Sequence, residues 1–320
     1  MSKSRRRKAP DYRGCIFSLL VILLVLGLFA LGIHYRDTTP ELRIPTETTT
    51  AASGEDVPTT EATQPTTEPT EPPVTLLSTA KISATGDILM HMPCIDGGKN
   101  SDGSYSFDHY FKYLKDYVAQ ADYAVANLET TLAGLDNGYK YSGYPAFNCP
   151  DGVVTTLKNV GFDMLLTANN HCYDTRSKGY HRTQQVVKDA GLEHIGTVPD
   201  EQTPQYLVKE INGIRIGMVC YTYEDNSDPN VVAPNGISMK DSDESLINSF
   251  NVNDLDTFYK RIEGQIEEMN AQGAEALMLY IHWGVEYELT ENKTQNAIAQ
   301  KMCDLGIDVI VGGHPHVIQP

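Results

Sequence analysis

Hydrophobic residues follow two different patterns along this chain. An unbroken apolar stretch runs from Cys15 to about Ile33, whereas after about residue 79 short apolar runs alternate with longer amphipathic segments. At about 1.5 Å per residue, the long stretch can cross the hydrocarbon core of a membrane as a helix. The short runs are typical of strands that are buried between helices.

The second pattern predicts an α/β fold in which strands and helices alternate. The predicted strands are 81–85, 123–126, 164–167, a short strand near His194, a hairpin of 205–211 and 214–221, 276–281 and 308–311. The predicted helices are 107–119, 152–160, 177–190, 252–272 and 294–305. The hairpin follows from Asn212-Gly213, because this pair favours a two-residue turn between strands.

Charge and composition divide the first part of the chain into three regions. Residues 1–14 carry six Lys and Arg and are expected to remain in the cytoplasm as a basic tail. Residues 15–33 are then a transmembrane anchor; a cleaved signal peptide is the competing interpretation, although its apolar core is usually shorter. Residues 34–78 are rich in Thr, Glu and Pro and predict a disordered stalk. We therefore expect a single-pass protein of the cell membrane with residues 79–320 outside the cytoplasm.

Residues 79–320 are numerous enough for one domain with a sizeable core. Eight of the 25 Lys and Arg precede this region, so carboxylates outnumber basic residues in it roughly twofold. That balance argues against nucleic-acid binding, which requires a basic surface. The odd number and scattered spacing of the five cysteines in the region indicate neither a disulfide framework nor a structural zinc site.

Side chains that can bind metal follow five of the predicted strands. They are Asp87, Glu129, the pair Asn170 and His171, the pair His282 and Glu286, and the pair His314 and His316. Each has a structural explanation when taken alone: Asp87 can cap a turn, and His282, beside the only tryptophan, can be a packed core histidine. Because the carboxyl ends of strands in α/β folds gather at one edge, the five motifs together predict an active site.

These motifs carry a family resemblance. They read GD at 86–87, NLE at 127–129, ANNH at 168–171, HWGVEY at 282–287 and GGHPHVIQP at 312–320. The set resembles the CapA, or PGA_cap, family of bacterial capsule synthesis proteins over about 82–320. That family is similar to the calcineurin-like metallophosphoesterases, which implies a two-sheet sandwich flanked by helices. Since such a sandwich is expected to carry further strands, the domain is expected to be truncated at its carboxyl end.

The resemblance also implies a function and a site. Family members take part in the synthesis or export of poly-γ-glutamate, so an anionic polymer and membrane proteins of a capsule synthesis complex are the expected partners. The expected cofactors are divalent ions, one or two, such as Mn, Fe or Zn. The implied ligands are Glu129, Asn170, His282 and His314 for one ion, and Asp87, His316 and the shared Glu129 for the other. His171 is placed to protonate a leaving group, and Glu286 supplies a ligand, a proton or a hydrogen bond to a ligand.

The chain departs from the metallophosphoesterase pattern at two positions. Leu89 stands where a histidine is usual, and the nearest imidazole is that of His91, so the second metal shell is expected to be incomplete or differently built. Cys172 follows His171 where an acid is usual, with Asp174 farther along. Two functions therefore stay open: a metal-dependent hydrolase of metallophosphoesterase type, and a non-catalytic component that binds polymer or assembles a membrane complex.

Overall fold

The computed structural model describes residues 78–320. The predicted tail and anchor, and all but the last residue of the predicted stalk, lie outside the described residues. Within the described region, the helices are too short or too polar to cross a membrane.

Strands and helices alternate through the described region, as the hydrophobic pattern predicts. The strands are β1 (Ile82–Asp87), β2 (Tyr123–Asn127), β3 (Met164–Leu166), β4 (Glu193–Ile195), β5 (Tyr206–Ile211), β6 (Ile214–Tyr223), β7 (Ser249–Phe250), β8 (Ala276–His282) and β9 (Val309–Gly313). The α-helices are α1 (Met92–Gly97), α2 (Lys115–Val118), α3 (Gly152–Val160), α4 (Arg176–Asp189), α5 (Asp241–Glu244), α6 (Leu255–Ala271) and α7 (Lys293–Asp304). Short 3₁₀ turns occupy Asp108–Phe111, Asp136–Gly138 and Pro234–Gly236.

The described strands form two sheets. In the first sheet the order is β1-β2-β3-β4 and all pairs are parallel. The second sheet has the order β5-β6-β8-β9, with β7 beside the end of β6. Only the β5-β6 hairpin is antiparallel among these pairs, and its turn is the predicted Asn212-Gly213. The α/β prediction is confirmed.

Alternating side chains place one core between the sheets and one on each outer face. Val125 of β2 and Met218 of β6 belong to the cluster between the sheets. Their neighbours Ala124 and Val219 point the other way, toward the helices, because successive residues of a strand face opposite sides. Helices α3 and α4 cover the first sheet, and α6 and α7 cover the second. The result is a two-sheet sandwich between two layers of helices.

The predicted helix 107–119 is wrong as a single element. The structure has a 3₁₀ turn and the short helix α2 there, because the amide groups of Tyr110, Leu114 and Tyr117 bond to carbonyls three residues earlier and interrupt the α-helical ladder. The hydrophobic pattern also missed α1, α5 and β7. Strand β7 has only two residues, too few for any periodicity.

Replacing Leu279 with Ala tests the core between β8 and its covering helices. Leu279 is fully buried there, so we expect Leu279→Ala to lower the free energy of unfolding by about 2 to 5 kcal/mol. Leu289→Ala is the matched control, since Leu289 is 68% exposed and its truncation should change little. Urea unfolding of both variants measures the difference; equal losses would contradict this packing.

Candidate metal centre

The ends of four parallel strands, two from each sheet, bring the predicted site residues together. Asp87 ends β1 and pairs with Asn127 at the end of β2, after a bulge that follows Thr85. In the second sheet, His282 ends β8 beside Gly313, the last residue of β9. The amide N–H of the next residue, His314, donates to Oδ2 of Asp87 at 3.3 Å. The carboxylate of Asp87 therefore links the two sheets at this edge.

Three buried side chains form the centre of the site. Glu129, His282 and His314 are 1%, 3% and 4% exposed, and each offers a ligand atom within 4.8 Å of the other two. Oε1 of Glu129 lies 3.5 Å from Nε2 of His282. Within residues 78–320, Oε1 of Glu129 and Nδ1 of His314 are buried without a hydrogen-bond partner. Such atoms normally have partners, and one carboxylate with two imidazoles is a donor set that suits a divalent cation. The residues present therefore fit a metal ion.

Burial sets the charge state of these three groups. Burial, together with the negative charge of Asp87, raises the pKa of Glu129 to about 9. Burial lowers the pKa of His282 to about 4 and that of His314 to about 3. Both imidazoles are therefore neutral at neutral pH, the form that binds metal. A bound cation would favour the ionised form of Glu129, because opposite charges nearby stabilise a carboxylate.

Asparagine side chains hold the central groups in place. Oδ1 of Asn170 lies 3.0 Å from Nε2 of His282. Asn170, which is also a predicted ligand, therefore contacts one of the two buried histidines. The amide nitrogen of Asn127 lies 2.7 Å from Oδ1 of Asp87 and 3.4 Å from Oε2 of Glu129. Asn169 in turn donates to Oδ1 of Asn127 at 3.1 Å. Asn127 is not among the site residues that the motifs predict; its place as the first residue of the NLE motif, at a strand end, is the sequence signal that could indicate it.

Asp87 and His316 form a second group beside the first. Oδ2 of Asp87 lies 3.2 Å from Nδ1 of His316. Burial by itself would raise the pKa of Asp87, but the interactions with His282, Asn127 and His316 together hold it below its usual value. Glu286 lies at the outer edge, where its side chain is 44% exposed and Oε1 is 3.8 Å from Nε2 of His316.

Position 89 is a leucine, not the usual histidine. Among the described residues, His91 is not in contact with Asp87 either. The ring of His91 packs edge-on against Phe147, with 5.1 Å between centroids. The second group thus consists of Asp87 and His316, with Glu286 nearby. An incomplete or differently built second shell stays a prediction.

His171 has an acidic partner three residues along the chain. Nδ1 of His171 lies 2.8 Å from Oδ2 of Asp174, and both side chains are buried. Asp174 also accepts hydrogen bonds from the amide of Phe147 and the side chain of Asn235. The acid that contacts the ring of His171 is therefore Asp174, whereas the metallophosphoesterase pattern places an acid at position 172. The local turn that allows this contact could not be read from the spacing of the motif.

The family model described as "Bacterial capsule synthesis protein PGA_cap" matches residues 81–320. The chain belongs to this family. The resemblance predicted from the five motifs is thereby confirmed. All eight predicted site residues of this family member lie along one edge of the sandwich or just beyond it, while their roles in metal binding and catalysis stay predictions.

Two curated proteins are similar to this family member. "Capsule biosynthesis protein CapA" of Bacillus anthracis is 28% identical over 320 residues, covering 99% of this chain and 66% of the relative. "PGA biosynthesis protein CapA" of Bacillus subtilis (strain 168) is 25% identical over 215 residues, covering 67% of this chain and 52% of the relative. The chain spans about half to two thirds of the length of these relatives.

A solved structure also resembles the chain at a distance. It is a Staphylococcus aureus protein described as a 5'-nucleotidase, in complex with alpha-ketoglutarate. The sequence identity is 14% and the TM-score 0.46, with 75% of this chain and 48% of the other chain covered.

Thermal unfolding with and without manganese tests the buried centre. A ligand that binds only the folded state at a hundred times its Kd stabilises by about 2.7 kcal/mol. For a domain of this size, that corresponds to a rise in Tm of about 5 to 11 °C. We expect this rise in the wild-type protein and in His109→Ala, an exposed histidine outside the site, but not in His314→Ala. Equal shifts in all three proteins would contradict a site that includes His314.

Proposed function

We propose that this family member is a metal-dependent hydrolase that acts in the synthesis or export of an anionic capsule polymer. The observation that carries the proposal is the buried group of Glu129, His282 and His314, two of whose ligand atoms have no hydrogen-bond partner within the described residues. Leaving buried polar atoms unpaired costs about 1 to 3 kcal/mol each, and a bound cation offsets that cost.

The proposed site uses each group in a distinct way. Divalent ions, when bound, supply positive charge that stabilises negative charge developing on a phosphoryl or acyl oxygen. Glu129, Asn170, His282 and His314 would hold one ion, and Asp87 and His316 would serve a second with Glu129 shared. Asn127 keeps the carboxylates of Asp87 and Glu129 in a fixed relation through its amide group.

His171 is the proposed proton donor to the leaving group. Its Nδ1 is engaged by Asp174, which fixes the ring and leaves Nε2 to carry the proton that is transferred. The ring also packs edge-on against Phe147, at 4.6 Å between centroids. A general acid held in this way contributes about 10²- to 10⁴-fold to the rate when the leaving group needs protonation.

The substrate and location are proposed from the relatives and the sequence. The names of the two Bacillus proteins refer to capsule and PGA biosynthesis, which supports poly-γ-glutamate or a related polymer as the material handled. The apolar stretch 15–33 supports a membrane anchor, with residues 79–320 outside the cytoplasm. Membrane proteins of a capsule synthesis complex are the proposed protein partners.

A non-catalytic role in polymer binding or complex assembly is the second candidate. Leu89 occupies the usual histidine position, and the carboxylate of Asp87 already contacts Asn127, His316 and the amide of His314. A site that binds a single ion firmly would still serve an assembly role, with the metal holding the strand ends together.

Phosphodiesters with different leaving groups test the catalytic proposal in the manganese-loaded protein. We expect His171→Gln to lower turnover by about 10²-fold or more when the leaving group is an alkoxide, because that oxygen needs a proton. With p-nitrophenolate, which leaves without protonation, the loss should be small. His109→Gln is the matched control and should leave both rates unchanged. If the manganese-loaded wild-type protein hydrolyses neither phosphodiesters nor poly-γ-glutamate, the assembly role replaces catalysis.

A further inference from the structure

Tyr223 is the last residue of β6 and lies beside the candidate metal centre, although it is not among the candidate ligands. Thr222, one residue earlier, pairs with His282 of the neighbouring strand β8. The side chain of Tyr223 is half-buried. The end of β6 therefore brings a phenol ring to the edge of the sheet that carries the ligands.

The ring of Tyr223 packs on both buried histidines of the centre. Its centroid lies 4.8 Å from that of His314, with the two planes tilted by 53°. It is nearly parallel to the ring of His282, with 6.4 Å between centroids and 8° between planes. The centroids of the two histidine rings are themselves 4.8 Å apart. Since aromatic rings interact at centroid distances of about 4.5 to 7 Å, the three rings form one cluster.

A third candidate ligand contacts the phenol group of the same side chain. Burial raises the pKa of Tyr223, and a hydrogen bond with the side chain of Asn170 opposes that rise. Oδ1 of Asn170 also lies 3.0 Å from Nε2 of His282. Tyr223 therefore contacts three of the four residues that would hold the first ion, namely Asn170, His282 and His314.

The two histidines differ in what holds their rings. His282 has an asparagine at each ring nitrogen, with the side-chain nitrogen of Asn127 at 3.4 Å from Nδ1 and Oδ1 of Asn170 near Nε2. Nδ1 of His314, in contrast, has no hydrogen-bond partner within residues 78–320. Histidines that bind metal are usually oriented by a hydrogen bond to the second ring nitrogen. Because Nδ1 of His314 lacks such a partner, packing against neighbouring rings has to orient the imidazole.

The backbone of His314 also depends on its surroundings. Its φ is 91°, in the left-handed region that residues with a Cβ rarely adopt. A strained conformation of this kind persists only where surrounding contacts hold it. The amide of His314 donates to Asp87 at 3.3 Å, and its ring packs on Tyr223. One contact thus restrains the backbone and the other restrains the side chain.

We propose that Tyr223 is a positioning residue of the metal centre, whose ring sets the orientation of the imidazoles of His314 and His282 toward the ion. The inference rests on the proposed metal centre, since Tyr223 acts through its ligands. It assigns Tyr223 no contact with the ion or the substrate. Because the ring supplies the effect, phenylalanine retains it at this position and an aliphatic side chain does not.

Titration of the metal-free full chain with Co²⁺ tests the inference. The visible absorption of bound Co²⁺ reports the number and geometry of its ligands, and the titration gives the affinity. We expect Tyr223→Leu to change the absorption bands and to weaken Co²⁺ binding by about tenfold or more, as is usual when a partner that orients a metal ligand is lost. Tyr223→Phe keeps the ring, so it should show the wild-type spectrum and an affinity closer to wild type than to Tyr223→Leu.

Two further variants keep the test decisive. Tyr259→Leu is the matched control, because Tyr259 is a half-buried tyrosine of α6 that packs beside Lys301 and outside the metal centre. It should bind Co²⁺ as wild type with an unchanged spectrum, whatever its effect on Tm. Tyr223→Met replaces Tyr223→Leu if the leucine variant does not fold, since a methionine side chain adapts to an irregular space.

A purely structural role for Tyr223 gives a different result. The leucine or methionine variant would then have a lower Tm but bind Co²⁺ with wild-type affinity and spectrum, which overturns the inference and leaves the metal centre standing. Equal losses of affinity in Tyr223→Phe and Tyr223→Leu would also overturn it, because the ring would then not be the part that matters. Folded wild-type protein that binds no Co²⁺ would instead remove the metal centre, and this inference with it.

Discussion

The buried carboxyl of Glu129 is the group around which the rest of the site is arranged. It is 1% exposed, Oε1 has no hydrogen-bond partner among the described residues, and two neutral imidazoles are its neighbours. Taking a carboxylate out of water without a partner is unfavourable, which is why burial raises its pKa to about 9. A divalent cation between Glu129, His282 and His314 would remove that cost. The folded chain is therefore prepared for a positive charge at this point.

The sandwich explains how residues that are distant in sequence reach Glu129. Parallel strands send their carboxyl ends to one edge, so the residues after β1, β2 and β3 gather there. Strands β8 and β9 do the same in the second sheet, and the hydrogen bond from the amide of His314 to Asp87 joins the two edges. The interior cluster between the sheets fixes their relative position, with Val125 and Met218 packed from opposite sides. Packing far from the site thus sets the distances within it.

Sequence patterns predict the part of this site that depends on strand direction. Short apolar runs mark the strand ends, which is why the sequence alone predicts that Asp87, His282 and His314 lie close together. Contacts that depend on how loops approach one another are not readable in this way. Asp174 reaches His171 through a local turn, and the helix expected at 107–119 is broken by 3₁₀ bonding.

Metal content is the most direct test of the central claim that Glu129 belongs to a metal site. The wild-type protein, Glu129→Gln and the surface control Glu263→Gln are expressed with manganese, iron and zinc, dialysed against a weak chelator and measured by elemental analysis. We expect near-stoichiometric metal in wild type and in the control, and a loss of metal in Glu129→Gln with the fold retained by circular dichroism. Folded wild-type protein that retains no metal, or a Glu129→Gln variant that retains it fully, would contradict the claim.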